Sequence, residues 1–457
     1  MIVMKFGGTS IEDTPSIKRV TEIVLSRVNS KPLVVLSAMG KTTRKLLSMA
    51  ELSARGMEKE FLDELNNIRS FHYELAKTLL TNFNNSEAYA RLEKYFEEIE
   101  QLLRSLCTLR ELTPKAQDHI LSYGELLSTA IAADFFKQSG IKSVLFDSRN
   151  LVITDDTFTR AHPIEELTFK AISDSILPAI ESGRVPVVQG FIGSTRDGET
   201  TTLGFEGSDF TAALFGAALN ASDIEIWKDV SGIMTADPSI YKDARTVKLL
   251  SFEEASELTF WGAKVLHPST IEPAQKRGIT IHVYNSKNKE KSGTVITNET
   301  GSSTNLIKSI TYKRNVSILS LSLSPSISSR TFFESLFEIF DRQNLMPYLA
   351  AAIGLNISFA FPSSANYDIL TKELASFGKV SVTRNKATIS LVGENLRTVQ
   401  NFVGTVFQAL GEIKVEMFSH LNSLINFTFV IDETELVPAI VKLHEFFFSE
   451  LDPGIFQ

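Results

Sequence analysis

Cysteine is almost missing from this sequence: Cys107 stands alone among 457 residues. One thiol excludes an internal disulfide framework and any cysteine-rich metal site. Inside a helical stretch it reads as a small apolar core residue. No apolar run reaches the ~18 residues of a membrane span. Positive surplus is missing too, because 46 Lys and Arg stand against 54 Asp and Glu, a formal charge of −8. Nothing then supplies the clustered cations that phosphate backbones or anionic lipid surfaces attract, so no nucleic-acid and no membrane partner is expected. Histidines are few and scattered, with no pair at a ligand spacing, and no protein-held metal is expected. The first residues, Met1 to Phe6, read as a strand and lack leader or transit composition. The reducing cytoplasm is the expected compartment.

What is present suffices for two or three domains with a sizeable core. Over the first ~285 residues, short apolar runs alternate with longer amphipathic ones. Strands are predicted at 2–6, 33–38, 144–147, 185–191, 223–227 and 279–284, with helices at 16–28, 114–138 and 164–181 between them. Such alternation implies βαβ crossovers and a mostly parallel sheet covered by helices on both faces. Residues 59–138 interrupt it with a long helical stretch, whose Phe61, Leu65, Ile68, Phe71 and Leu75 share one face. Residues 285–304 turn polar and Gly/Ser/Asn/Lys-rich, which marks a domain boundary.

The last third repeats itself at an offset of 70. Leu319 and Leu321 match Ile389 and Leu391; Phe333, Leu336, Phe337 and Phe340 match Val403, Val406, Phe407 and Leu410; Ile357, Phe359 and Phe361 match Phe427, Phe429 and Ile431. Each copy reads strand, helix, strand, strand, helix, the ferredoxin-like α+β order. The expected organisation is α/β over 1–300, then small α+β units at 310–385 and 386–457.

Three turns carry the chemistry. Lys5-Phe6-Gly7-Gly8-Thr9-Ser10 follows the first strand and precedes a helix announced by Thr14 and Pro15. Adjacent glycines let backbone N–H groups approach an anion, and Lys5 adds a point charge. Gly204-Phe205-Glu206-Gly207-Ser208-Asp209 opens a helix predicted from Phe210. There the macrodipole favours an anion, and plain N-capping by Ser208 or Asp209 is the bland alternative. Ser37-Ala38-Met39-Gly40-Lys41-Thr42-Thr43 ends another strand. Parallel strands bring such ends to one rim, where α/β ligands bind.

The ordered set K-F-G-G-T-S, S-A-M-G-K-T-T, Y-G-E-L-L-S, V-V-Q-G-F-I-G, T-T-T-L-G-x-x-G-S-D and W-G-A-K-V-L-H-P closely resembles the aspartokinases, amino-acid kinases with two C-terminal ACT units, over nearly the whole chain. The resemblance implies transfer of the γ-phosphate of Mg-ATP to the side-chain carboxylate of L-aspartate, with no other cofactor. It places Lys5, Asp209 and Lys264 in catalysis. Lys5, Gly7, Gly8, Thr9, Gly207, Ser208, Lys228, Asp229, Met234, Ser239, Lys264 and Val265 fall at the ATP, and Ser37, Thr43, Arg44, Glu125, Phe191 and Phe205 at the acceptor. His267 reads as structural. A homodimer through the ACT units is implied as well.

Departures from the family pattern carry their own expectations. Phe205 stands where an Arg normally clamps the α-carboxylate, and Glu206 replaces a Gly. An uncompensated loss of that charged bond, worth roughly 1.5–3 kcal/mol, weakens aspartate binding ~10–100-fold. Arg44, in place of the usual Asp or Asn, is the expected substitute clamp. Lys228, Met234 and Ser239 replace common Thr, Tyr and Arg, so the purine pocket is reshaped while ATP stays the expected donor. After the first ACT helix, Tyr348-Leu349-Ala350-Ala351-Ala352-Ile353-Gly354 lacks the polar groups of lysine-sensitive relatives, so weak or absent lysine inhibition is expected. The alternatives are an amino-acid kinase of altered acceptor and a non-catalytic ACT regulator.

Overall fold

The computed structural model describes the chain except Phe205, Lys264, Val265, His267, Lys291 and residues 299–302 and 420–423. It separates into two compact units. The first comprises Met1–Gly232, Leu249–Phe252 and Val265–Thr300; the second comprises Ile233–Lys248, Glu253–Lys264 and Gly301–Gln457.

In chain order the elements are β1 (Ile2–Phe6), α1 (Thr14–Arg27), β2 (Pro32–Leu36), α2 (Thr42–Ala54), α3 (Glu58–Leu79), α4 (Glu87–Leu109) and α5 (Pro114–Gln138). Then come β3 (Ser143–Leu145), β4 (Ile153–Thr154), α6 (Glu165–Glu181), β5 (Val185–Gln189), β6 (Ile192–Thr195), β7 (Thr200–Thr202), α7 (Gly207–Ala218) and β8 (Asp223–Lys228). β9 (Leu249–Ser251), α8 (Phe252–Phe260), α9 (Pro268–Arg277), β10 (Thr280–Asn285) and β11 (Thr294–Thr297) follow.

Among the described residues the main sheet runs β3-β5-β2-β1-β8-β10-β11-β9. It is parallel except where β11 pairs antiparallel with β10. Every residue of β1, β2 and β5 is buried, as strands covered on both faces require. β11 lies inside the polar stretch that the sequence marks as linker. β4, β6 and β7 form a separate small sheet that periodicity does not predict. In the helical insertion Phe61, Leu65, Ile68 and Leu75 are buried as expected. Phe71 is exposed, and His72 takes the buried position beside it.

The second unit contributes β12 (Ser309–Leu323), α10 (Ser329–Arg342), β13 (Leu349–Ile353), β14 (Asn356–Pro362), α11 (Tyr367–Leu374), β15 (Gly378–Val392), α12 (Phe402–Leu410), β16 (Val415–Ser419), β17 (Asn426–Asp432) and α13 (Leu436–Phe447). Its sheet runs β13-β14-β12-β15-β17-β16, antiparallel throughout the described residues. The repeat lies in this sheet: β14 and β17 are 70 residues apart, and each copy shows strand, helix, strand, strand, helix. Neither copy is self-contained. The later part of β12 pairs with β14 and the start of β15, while residues 309–313 of β12 pair with the end of β15. Each ferredoxin-like unit takes its last strand from the other.

Candidate active site

Four parallel strands bind their exit loops together through three backbone hydrogen bonds. The Gly7 N–H donates to the Trp227 carbonyl, the Ser37 N–H to Phe6 and the Gly190 N–H to Leu36. The turns after β1, β2, β5 and β8 therefore meet at one rim. Gly8 has to be glycine, because a Cβ there would stand 2.7 Å from the Ala38 carbonyl oxygen. Gly124 serves the same end on α5, where a Cβ would meet that of Ala38 at 2.9 Å. Close approach draws the Gly7–Gly8 turn, the 37–43 loop and α5 together.

Lys5, near the end of the central strand, is 6% exposed and turns beneath the glycine turn. Its Nζ lies 3.6 Å from where a Cβ on Gly7 would stand. The ammonium pairs with Asp209 at 2.5 Å, and Lys228, last residue of β8, reaches the other oxygen of the same carboxylate at 2.8 Å. α7 starts at Gly207 with Glu206 in the left-handed region as its cap. Ser208 and Asp209 therefore lie in the first turn and neither is the cap, and the Asp209 carboxylate is committed to the two lysines. Burial would raise Asp209, but Lys5 and Lys228 overcome it and hold the carboxyl below its usual range. Burial pulls Lys5 down despite Asp209. Burial also works against Lys228, yet Asp209 and Glu206 keep its ammonium above the ordinary lysine value. Gly7 and Gly8 are half-buried, while Thr9 and Asp229 are exposed at the rim.

Beside the lysines opens a cavity of about 520 Å³. Thr43, Arg44, Glu125, Phe191, Gly207 and Ser208 line it, as do Gln117, Thr159, Thr202, Gly204 and Glu206. Glu125 accepts the Ala38 N–H at 3.1 Å, and its other oxygen is buried with no hydrogen-bond partner among the described residues. Burial, only partly opposed by that bond, pushes its carboxyl up to about 8. A cation entering beside it would favour the ionised form. Thr159, Phe191 and Glu206 all have positive φ, at 72°, 70° and 56°. Strain of this kind collects at ligand sites.

The site thus gathers Lys5, Gly7, Gly8, Thr43, Arg44, Glu125, Phe191, Gly207, Ser208, Asp209 and Lys228. Ser37 joins through its backbone, with its carbonyl accepting the Ser128 hydroxyl at 2.8 Å. Phe205, Lys264, Val265 and His267 lie outside the described residues. Met234 and Ser239 belong to the second unit, where Met234 bridges Thr246 and Ser239 bonds Asp237. Sequence reasoning missed Gln117, Thr159 and the buried Asp118 behind them, and placed Thr202 in the T-T-T-L-G motif without giving it a role. The spacing of Asp118 to Glu125, i to i+7 on α5, was the available signal. Among the described residues no three metal-ligating side chains cluster, and no helix is long and apolar enough to cross a membrane.

Residues 1–285 match the amino acid kinase family and residues 389–447 match an ACT domain. Aspartokinase 1, chloroplastic, of Arabidopsis thaliana is 34% identical over 98% of this chain and 80% of its own length. The chain belongs to the aspartokinase family. The lysine-sensitive aspartokinase 3 of Escherichia coli is 33% identical, over 98% of this chain and 99% of that one. The crystal structure of E. coli aspartokinase III in complex with aspartate and ADP superposes with a TM-score of 0.85 at 31% identity, covering 98% of this chain and all of that one. As a member of this family the protein is a kinase of aspartate, a phosphotransferase with a carboxylate acceptor.

Proposed function

We propose that L-aspartate occupies the 520 Å³ cavity with its α-ammonium on Glu125 and its α-carboxylate at Arg44. Its β-carboxylate then faces a γ-phosphate lodged against Lys5 and the Gly7–Gly8 turn. A free aspartate carboxyl has a pKa of ~3.9 and is ionised at neutral pH, so the nucleophile needs no general base. The obstacle is charge, an anion meeting a polyanion, and it falls to positioning and neutralisation. Lys5 and Lys228, oriented by Asp209, supply fixed positive charge where it develops. The β-carboxylate oxygen bonds to phosphorus as the bond to the ADP oxygen breaks, giving 4-phospho-L-aspartate. This product opens the route to lysine, diaminopimelate, threonine and methionine. Mg²⁺ arrives as part of the nucleotide, in keeping with a cation that favours phosphate oxygens and water. Thr9, Gly207, Ser208 and Asp229 complete the nucleotide side in this reading. The assignments of Met234, Ser239, Lys264 and Val265 rest on motif position alone.

The observation that carries the reading is the two-lysine clasp on Asp209 opening beside an under-bonded Glu125. ATP-dependent hydroxamate formation with L-aspartate, from micromolar to tens of millimolar, tests it. Lys5→Ala should lose at least ~100-fold in kcat, the scale of removing one transition-state donor. Arg44→Ala should raise the aspartate KM tenfold or more. Saturable turnover that survives in Lys5→Ala would sink the catalytic assignment, and an unchanged aspartate KM in Arg44→Ala would sink the clamp.

The same reading includes a homodimer through the ACT units, supported by the exposed Phe337, Met346 and Ile353 of the second unit. It also includes a cytoplasmic location, supported by the single cysteine and the ordinary charge.

A further inference from the structure

We propose that Asp118 is the positioning residue that fixes the wall of the acceptor cavity and thereby sets the affinity for aspartate. The proposal rests on reading that cavity as the acceptor site. Asp118 is wholly buried on α5, two turns before Glu125. Its carboxylate holds two segments distant from the helix and from each other in sequence. One oxygen accepts the Thr159 N–H at 2.8 Å and the Thr202 N–H at 2.9 Å; the other accepts the Thr202 hydroxyl at 2.6 Å. Both threonines line the cavity.

These segments need holding. Thr159 is β-branched with φ at 72°, a conformation that persists only where the surroundings over-determine it. Its carbonyl oxygen lies 3.3 Å from where a Cβ on Gly204 would stand, and Gly204 is itself at φ 80°. Contact therefore runs from Asp118 through the Thr159 turn to Gly204, three residues before α7 begins with Gly207, Ser208 and Asp209. Among the described residues no cation pairs with Asp118, and burial lifts its carboxyl against the pull of its three donors. A buried carboxylate whose hydrogen bonds among the described residues all come from the backbone and hydroxyl of two cavity loops is set up to shape those loops.

A merely structural carboxylate would affect both substrates alike, so the test is the split between them. Asp118→Asn can keep every bond: its amide oxygen accepts the two N–H groups and its amide nitrogen donates to the Thr202 hydroxyl. Asp118→Ala removes all three, and Asp118→Glu keeps the charge but pushes the loops by one methylene. With melting curves confirming that each variant is folded, Asp118→Ala and Asp118→Glu should raise the aspartate KM about tenfold. The ATP KM should stay within about twofold, and Asp118→Asn should stay within about threefold of wild type on both. Should Asp118→Ala prove unfolded, Asp118→Glu carries the same test. Thr43→Val, in the cavity itself, runs alongside and should raise the aspartate KM. If Thr43→Val raises it and the Asp118 variants do not, the positioning role falls while the cavity reading stands. If none of them moves it, the cavity is not the acceptor site and both fall. A parallel rise in the ATP KM would make Asp118 a general structural residue and overturn the proposal.

Discussion

Glu125 combines near-complete burial, a side-chain hydrogen bond from the Ala38 N–H and a carboxyl pushed up to about 8. An unfolded chain releases that proton near the ordinary value of 4.5. Between these two values the folded protein holds the extra proton, so Glu125 contributes stability below pH ~4.5 that is lost as pH rises to about 8. Gln cannot ionise and keeps the Ala38 bond. Glu125→Gln should therefore gain on wild type as pH rises, by roughly 3–5 kcal/mol above pH 8, where thermal melts across pH 5–9 would show it. Function should move the other way. An α-ammonium binds the ionised carboxylate, so the wild-type aspartate KM should fall between pH 6 and 8, while Glu125→Gln should show a higher KM with no such slope. Parallel pH profiles in the two proteins would remove Glu125 from the ammonium. Lys5 is legible because it precedes a glycine turn, whereas Glu125, inside helix α5, is legible only through the Y-G-E-L-L-S motif of the family the chain resembles. Thr159 is not, since a threonine at positive φ leaves no trace in hydropathy or spacing.

Elements with full periodicity were read almost to the residue: β1 and α5 have the predicted bounds. The short strands β4, β7 and β9 were missed, since two or three residues cannot show a period and their partners lie far along the chain. The internal repeat was legible as two units because its hydrophobic register survives. The exchange of strands between them was not, because pairing depends on which halves of β12 and β15 meet, and a repeat reports only their similarity. Gly378 marks that meeting. A Cβ there would stand 2.0 Å from the Ser322 carbonyl oxygen, and both residues are held in the ladder. Gly378→Ala must therefore force β15 away from β12, at a cost of about 1–3 kcal/mol. Urea unfolding should register it as a lower midpoint with activity per folded molecule retained. A midpoint unchanged within error would mean that the two strands adjust freely.

At the scale of the whole molecule, the motif order identified both parts of the chain, but contiguity hid which segments pack together. Residues 233–248 and 253–264 belong to the second unit although they precede the polar stretch taken as a boundary, and local composition carries no signal for that. Lysine sensitivity is a question at the same scale. In the present chain β13, the edge strand after the first ACT helix, reads Leu-Ala-Ala-Ala-Ile, with Ile353 81% exposed. It offers no carboxylate for an ε-ammonium and no hydroxyl for an α-carboxylate. Lysine seated there would meet the backbone groups of an open strand edge but no charged or hydroxyl side chain of β13, and each polar group left unpaired would cost roughly 1–3 kcal/mol. L-Lysine up to about 10 mM, where even a Kd near 1 mM would register, should change the rate of hydroxamate formation less than twofold at half-saturating aspartate. Half-inhibition below about 1 mM would mean that the effector is held by groups other than those of β13. Replacing Ala350 and Ala352 by Asp and Ser would then leave that inhibition unchanged, whereas in an insensitive enzyme the same pair should begin to confer it.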